Sequence, residues 1–171
     1  CKLSKFLNNN LFKIHTDLDV LFSFYDNKSI TITGTNGKST TAKILHDAER
    51  DGSLSHGLFR IPGYVASLKS GKVIGNAEPI IDNSLPAIIS INGNFGFTPY
   101  ALEKGLPILA SVTEKLGIAI MKITNTFHFA ALWPETEFLA NRGLVGIACT
   151  AAKPMVAPSG GKKAFFGTNP I

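Results

Sequence analysis

Two short apolar runs, Ala87-Ile88-Ile89-Ser90-Ile91 and Ile118-Ala119-Ile120-Met121-Lys122-Ile123, flank an amphipathic segment over residues 100–116 that ends at Gly117. β-branched runs of this length read as strands, and apolar spacing of three and four reads as a helix. A glycine just past the last periodic residue is a helix stop. A strand, a helix and a strand with almost no linker between them form one layered unit. The same alternation continues with a helical pattern over residues 130–141, stopped by Gly143, and an apolar run over 144–150. Residues 78–82 add a strand before the first run, and Asn92-Gly93-Asn94 is turn chemistry after it. The expected fold class is therefore α/β, with a mixed sheet and flanking helices. Connection lengths alone do not fix the strand directions. No Gly-x-Gly-x-x-Gly follows a strand, so a Rossmann dinucleotide fingerprint is absent.

Composition limits the partners. Apolar residues make up 44% of the 171 residues and charged residues 17%, which is the balance of a chain that folds around a core. The net charge of +5 is spread along the chain without a block of like charges, so no nucleic-acid partner is expected. No run of apolar residues reaches membrane-spanning length, because Glu114 and Lys115 interrupt the best candidate at 106–123. No membrane partner is expected. Two cysteines, Cys1 and Cys149, make no disulfide framework, and a reduced, cytoplasmic setting is expected. The chain begins without Met and ends inside a motif, and it reads as a fragment.

Two motifs carry chemistry, and they point to different reactions. The first is Ile30-Thr31-Ile32-Thr33 followed by Gly34, Thr35, Asn36, Gly37, Lys38, Ser39 and Thr40. Glycines where a strand turns into a helix expose backbone N–H groups to a phosphate, with helical character following to about residue 51. Lys38 would reach the outer phosphates and Ser39 would sit near Mg²⁺. The plain alternative is a glycine-rich turn with a surface lysine. Together with Thr16-Asp17-Leu18-Asp19-Val20-Leu21-Phe22, this segment resembles the ATP-binding motif of the Mur ligases over roughly residues 12–45. That resemblance implies ATP and Mg²⁺ as cofactors, bound by Gly34 to Thr40. A short apolar helix at 18–25 and a buried strand at 29–33 are expected around it.

The second motif is Ser55-His56-Gly57-Leu58-Phe59-Arg60-Ile61-Pro62-Gly63-Tyr64. A hydroxyl, an imidazole and a guanidinium fall within six residues, which suits a carboxylate-bearing substrate held beside an acid/base group. With Leu68-Lys69-Ser70-Gly71-Lys72-Val73, Asn125-Thr126-Phe127-His128-Phe129, Val156-Ala157-Pro158-Ser159-Gly160-Gly161 and Gly167-Thr168-Asn169-Pro170-Ile171, it resembles the malate/L-lactate dehydrogenase family, which also holds ureidoglycolate dehydrogenase and imino-acid reductases. The resemblance spans about residues 47–171. It implies a non-Rossmann fold and NAD- or NADP-dependent hydride transfer to or from a small 2-hydroxy or 2-oxo acid, with homodimers in the full-length protein. His128 matches the family's catalytic histidine, and His56 joins it as a second catalytic candidate that also lines the cofactor cleft. Ser55 and Arg60 match substrate-binding positions. Phe129, Gly167, Thr168, Asn169 and Pro170 match cofactor-binding positions. No metal site is implied. Two departures stand out: Ala130 where glycine is usual, and Thr126 where serine is common.

The expected organisation is a phosphate-loop segment at 1–46, read as a fusion, and part of a dehydrogenase-like domain at 47–171. The expected activity is a nicotinamide-linked oxidoreductase. An ATP-binding ligase fragment and a non-catalytic truncated product are the alternatives.

Overall fold

The computed structural model describes residues 38–171, with side chains from residue 40 onward. The expected helix at 18–25, the strand at 29–33, the turn at 34–37 and the side chains of Lys38 and Ser39 lie outside the described residues. The chain divides at Ala130 into two compact units.

The first unit runs α1 (Lys38–Arg50), two 3-10 turns (Leu54–His56 and Leu58–Arg60), α2 (Ile61–Lys69), β1 (Ile80–Leu85), β2 (Ile88–Asn92), α3 (Thr98–Leu116) and β3 (Ile120–Thr124). The sheet order is β1-β2-β3. β1 and β2 pair antiparallel, with Leu85 opposite Ile88, so Pro86 and Ala87 form the tight link between them. β2 and β3 pair parallel, from Ile88 opposite Ile120 to Asn92 opposite Thr124. A parallel pair needs a crossover, and α3 supplies it. The mixed sheet expected from the sequence is present, and its middle strand is the junction between the two pairing modes.

The core lies between one sheet face and α3. Ile89 and Ile91 of β2 are each 1% exposed and Ala101 of α3 is 0% exposed, with Ile81, Met121 and Ile123 packed around them. These positions alternate along the strands, as a half-buried sheet requires. Burying an isoleucine is worth about 1.5–3 kcal/mol. Along α3 the buried positions include Ala101, Leu102, Gly105, Leu106 and Ala110, one helical face. Gly105 sets how closely the helix approaches. A Cβ there would lie 2.3 Å from Ile91 Cδ1 and 2.5 Å from Met121 Sδ. Pro107 lies on the exposed side of the same helix, so the backbone carbonyl it leaves without a partner is not enclosed in the core. On α1, Ala42, Leu45 and Ala48 are buried at spacing three, and Thr40 hydrogen-bonds Glu103 of α3. α1 runs without a break through residues 45–47.

Several expected boundaries move for local reasons. α3 begins at Thr98 because Pro99 takes a first-turn position. Gly117 closes it at φ 82, a left-handed cap. The helix expected at 130–141 is shorter, since Ala130 has φ 62 and cannot be helical.

The second unit holds that helix as α4 (Trp133–Ala140). Gly143 follows at φ 72. The strand expected at 144–150 does not form among the described residues. Val145 is 94% exposed and Ile147 is 84% exposed, and the run has no ladder partner there. An apolar run marks a chain that can pair, but a strand exists only where a second segment completes its hydrogen bonds. Further on, Val156 and Phe166 form an antiparallel bridge, and Asn169 Oδ1 accepts a 2.9 Å bond from the Ala152 N–H.

Glu135, in the first turn of α4, is the unusual polar group of this unit. It is 7% exposed, and among the described residues its Oε2 has no hydrogen-bond partner. Burial pushes its carboxyl up from 4.5 to about 7. The folded chain then holds a proton that the unfolded chain releases above about pH 4.5, so this group costs stability as pH rises from there through 7. Glu135→Gln should remove that dependence. Denaturant unfolding should show the variant more stable than the native chain at pH 8, on the order of 1–3 kcal/mol, and little different at pH 5.

Candidate functional site

The parallel strands β2 and β3 end side by side, and the loops that leave them stay joined. The N–H of Gly93 donates to Thr124 O at 2.8 Å, that of Phe95 to Asn125 O at 2.7 Å, that of Phe127 to Gly96 O at 2.9 Å and that of Thr98 to Phe127 O at 3.2 Å. Phe97 and Phe127 continue the parallel pairing as an isolated bridge. Asn92 Oδ1 accepts from the Asn94 N–H at 3.0 Å and from Asn125 Nδ2 at 3.2 Å. Backbone strain collects here. Asn94 (φ 50), Phe95 (φ 61), Asn125 (φ 53), His128 (φ 52) and Ala130 (φ 62) all occupy the left-handed region. Asparagine and, less readily, histidine tolerate it; phenylalanine and alanine rarely adopt it. Ligands in α/β folds bind beyond the carboxyl ends of parallel strands, and clustered strain is often found at binding sites.

His128 lies in the second of these loops. Its Nδ1 is 2.8 Å from the Tyr64 hydroxyl and accepts a 3.2 Å bond from the Ala130 N–H. The Tyr64 ring stands edge-on to His128 at 5.4 Å and to Phe97 at 4.8 Å. Phe129 stacks on His128 at 5.8 Å with 9° between the planes. Tyr64 is 5% exposed, and burial raises its phenol far above 10. Burial also pushes His128 down from 6.5 to about 4, with further lowering from the charges of Arg60 and His56.

Ser55, His56 and Arg60 come from the two 3-10 turns between α1 and α2. His56 Nδ1 lies 3.0 Å from Ser55 Oγ and 3.4 Å from Ser53 Oγ. Both contacts are made by Nδ1. Burial lowers the His56 pKa, and the Arg60 charge lowers it further. Arg60 Nε donates to Ser55 O at 2.5 Å, which orients the guanidinium and folds the segment back on itself. The turn is also tied to α1, since Glu49 Oε2 accepts from the Leu58 N–H at 3.1 Å. Gly57 makes that possible: a Cβ there would lie 2.4 Å from Glu49 Oε2 and 3.1 Å from Glu49 Cα.

Four expected site residues, Ser55, His56, Arg60 and His128, thus belong to one cluster in the first unit, with Phe129 against it. The Arg60 charge acts on His56, Tyr64 and His128 alike. Gly167, Thr168, Asn169 and Pro170 belong to the second unit. There Gly167 leaves no room for a side chain, since a Cβ would lie 2.2 Å from Ala152 O. Of the expected phosphate loop, Gly34, Thr35, Asn36 and Gly37 lie outside the described residues. Sequence reasoning missed Tyr64, Glu49 and the paired loop at 93–97. Tyr64 stands inside a quoted motif, but no spacing rule links it to a histidine sixty-four positions on. Among the described residues, no helix is long and apolar enough to cross a membrane.

Gly57→Ala should drive the Glu49 carboxylate off the Leu58 N–H. The expected loss is about 1–3 kcal/mol in denaturant unfolding. Glu49→Gln, which keeps an acceptor, should lose less.

The family described as malate/L-lactate dehydrogenase matches residues 34–171. The chain is 40% identical over 130 residues to a Delta(1)-pyrroline-2-carboxylate reductase of Pseudomonas fluorescens, covering 76% of this chain and 39% of that protein. It is 43% identical over 130 residues to a Delta(1)-pyrroline-2-carboxylate/Delta(1)-piperideine-2-carboxylate reductase of Pseudomonas aeruginosa, again covering 76% and 39%. The crystal structure of delta1-piperideine-2-carboxylate reductase from Pseudomonas syringae pvar. tomato matches with a TM-score of 0.72 at 39% identity, over 77% of this chain and 40% of that one. Sulfolactate dehydrogenase from Methanocaldococcus jannaschii matches with a TM-score of 0.72 at 30% identity, over 78% and 39%. The chain spans about two fifths of the length of these relatives. A match over residues 34–171 places the chain in the malate/L-lactate dehydrogenase family.

Proposed function

We propose that the chain carries the substrate half of a nicotinamide-linked oxidoreductase acting on a small acid whose reacting carbon bears a carboxylate. The observation that carries this reading is that Arg60 and His56 act electrostatically on His128, which lies in the loop leaving β3 and is hydrogen-bonded by Tyr64 of α2, with Ser55 held against His56. Arg60 supplies a planar two-pronged donor for the carboxylate, which lysine cannot match. His56, with Nδ1 against hydroxyls, presents Nε2 to the oxygen or nitrogen on the reacting carbon and moves its proton. The two roles are coupled. The Arg60 charge disfavours protonated His56, and a carboxylate bound to Arg60 offsets that charge. Substrate binding therefore restores the acid form that reduction needs.

The donor set, two imidazoles and a guanidinium, with the Phe129 ring stacked on one of the imidazoles, fits a carboxylate substrate next to an aromatic cofactor ring. NAD or NADP, when bound, supplies or accepts the hydride. Phe129 is the residue of the first unit that would hold it. Gly167, Thr168, Asn169 and Pro170 are proposed dinucleotide contacts on family resemblance, and so is a homodimeric assembly. Within the substrate class, the identity to relatives named as pyrroline- and piperideine-2-carboxylate reductases favours a cyclic 2-imino acid over an open-chain 2-oxo acid such as those related to malate or lactate. ATP and Mg²⁺ at Gly34 to Thr40 would need residues outside the described part, and no described contact supports that second reading.

Calorimetric titration with pyrrole-2-carboxylate, a planar unreactive stand-in for the imino acid, tests the assignment. Arg60→Lys should weaken binding about 10- to 100-fold, the loss of one bidentate pair. His56→Asn should leave binding within a few fold and remove nicotinamide-linked turnover in a full-length protein carrying this chain. Equal affinity of the native and Arg60→Lys chains would reject the reading.

A further inference from the structure

His128 offers two nitrogens, and the structure restricts which of them carries hydrogen. The backbone N–H of Ala130 lies 3.2 Å from Nδ1 and can only donate. Nδ1 must then be bare. The Tyr64 hydroxyl, 2.8 Å from the same nitrogen, donates as well. A neutral imidazole with a bare Nδ1 carries its hydrogen on Nε2. Local backbone geometry enforces the arrangement. His128 at φ 52 and Ala130 at φ 62 curl the chain so that the ring meets the N–H two residues on. The ring is further fixed by Phe129 stacked on it and by the edge-on Tyr64 ring, itself held by Phe97.

We propose that Tyr64 is a positioning residue: with the Ala130 N–H it locks His128 as the Nε2–H tautomer, so that His128 gives the site a fixed hydrogen-bond donor for an oxygen of the bound acid or cofactor rather than a group that shuttles protons. This rests on the oxidoreductase reading above and divides the labour between its two histidines, with proton transfer at His56 and oxygen recognition at His128.

The charged and titratable groups around His128 act in the same direction. Arg60 and His56 from the turns both disfavour a second positive charge, and Tyr64 from α2 is a neutral phenol. Protonation at Nδ1 would also set that hydrogen against the Ala130 N–H. Burial, the Arg60 charge and this clash together keep the imidazole neutral near neutral pH. A neutral donor also suits a carbonyl or carboxylate oxygen, because it need not give up its proton to hold it.

The ring nitrogens report the tautomer directly, without any ligand. Long-range proton–nitrogen correlation on chain labelled with ¹⁵N-histidine separates the four histidines, and His128 is identified by its loss in His128→Gln. The native chain should show His128 with a protonated-type Nε2 and a bare-type Nδ1, unchanged from pH 8 to 5.5. Tyr64→Phe should mix the two tautomers and raise the His128 titration midpoint by about one pH unit, a tenfold change in proton affinity. In a full-length protein, Tyr64→Phe should lower kcat more than it raises KM, with the pH dependence set by His56 unchanged. An Nδ1–H tautomer in the native chain, or titration above pH 6, overturns the proposal even if Tyr64→Phe does not fold. An unchanged spectrum in Tyr64→Phe removes Tyr64 from it. Failure of pyrrole-2-carboxylate to bind through Arg60 would instead strike the oxidoreductase reading and leave the tautomer result standing.

Discussion

The parallel pairing of β2 and β3 does not stop where the strands stop. Backbone bonds from Gly93, Phe95, Phe127 and Thr98 carry it on into the two loops, and those loops hold the candidate chemistry. Each loop alone would be a short polar connection with no reason to adopt left-handed backbone at phenylalanine, histidine or alanine. Joined, they over-determine one another, and several costly φ values persist because the hydrogen bonds and the aromatic packing offset them. The parallel pair depends in turn on α3, whose close approach at Gly105 seats the helix on Ile91 and Met121. Helix packing, strand register and loop conformation are therefore one chain of dependence that ends at the His128 ring.

Electrostatics then distinguishes two imidazoles of the same residue type. His56 lies on a turn against serine hydroxyls, which can donate or accept, so it can change protonation without losing its partner. His128 is deeper, and its Nδ1 faces a backbone N–H that can only donate. Arg60 presses on both. On the proposed reading, a site that binds an anion and moves a proton benefits from this separation: one cationic clamp, one imidazole able to change protonation, and one held neutral. Glu49 and Gly57 contribute from a distance by fixing the turn on which the clamp and the titratable group stand.

Much of the architecture was legible in the chain. The runs at 87–91, 100–116 and 118–123 became β2, α3 and β3 with shifts of one or two residues, because period-two and period-three-to-four patterns report directly which side is buried. Gly117 and Gly143 mark helix ends because the left-handed backbone there favours glycine. The run at 144–150 misled for the opposite reason: its apolar character is local, whereas a ladder is a property of two segments. The residues of the cluster were named from motifs, yet their grouping was not derivable from spacing, since seventy-odd positions separate His56 from His128. Tyr64 and Glu49 escaped notice because each acts on an atom far away in sequence or on a backbone N–H, and no pattern encodes either.

By itself, then, the sequence determined the strand–helix–strand unit at 87–123, several of its turns, and which side chains can clamp a carboxylate or carry a proton. These are local properties of residue type and period. Tertiary structure alone decided that β2 and β3 run parallel, that Arg60 lies within electrostatic reach of both histidines, and that Nδ1 of His128 is filled by Tyr64 and the Ala130 N–H. The protonation of an imidazole is set by the few atoms within hydrogen-bond distance and by its depth in the protein. Neither exists until the fold has brought distant segments together.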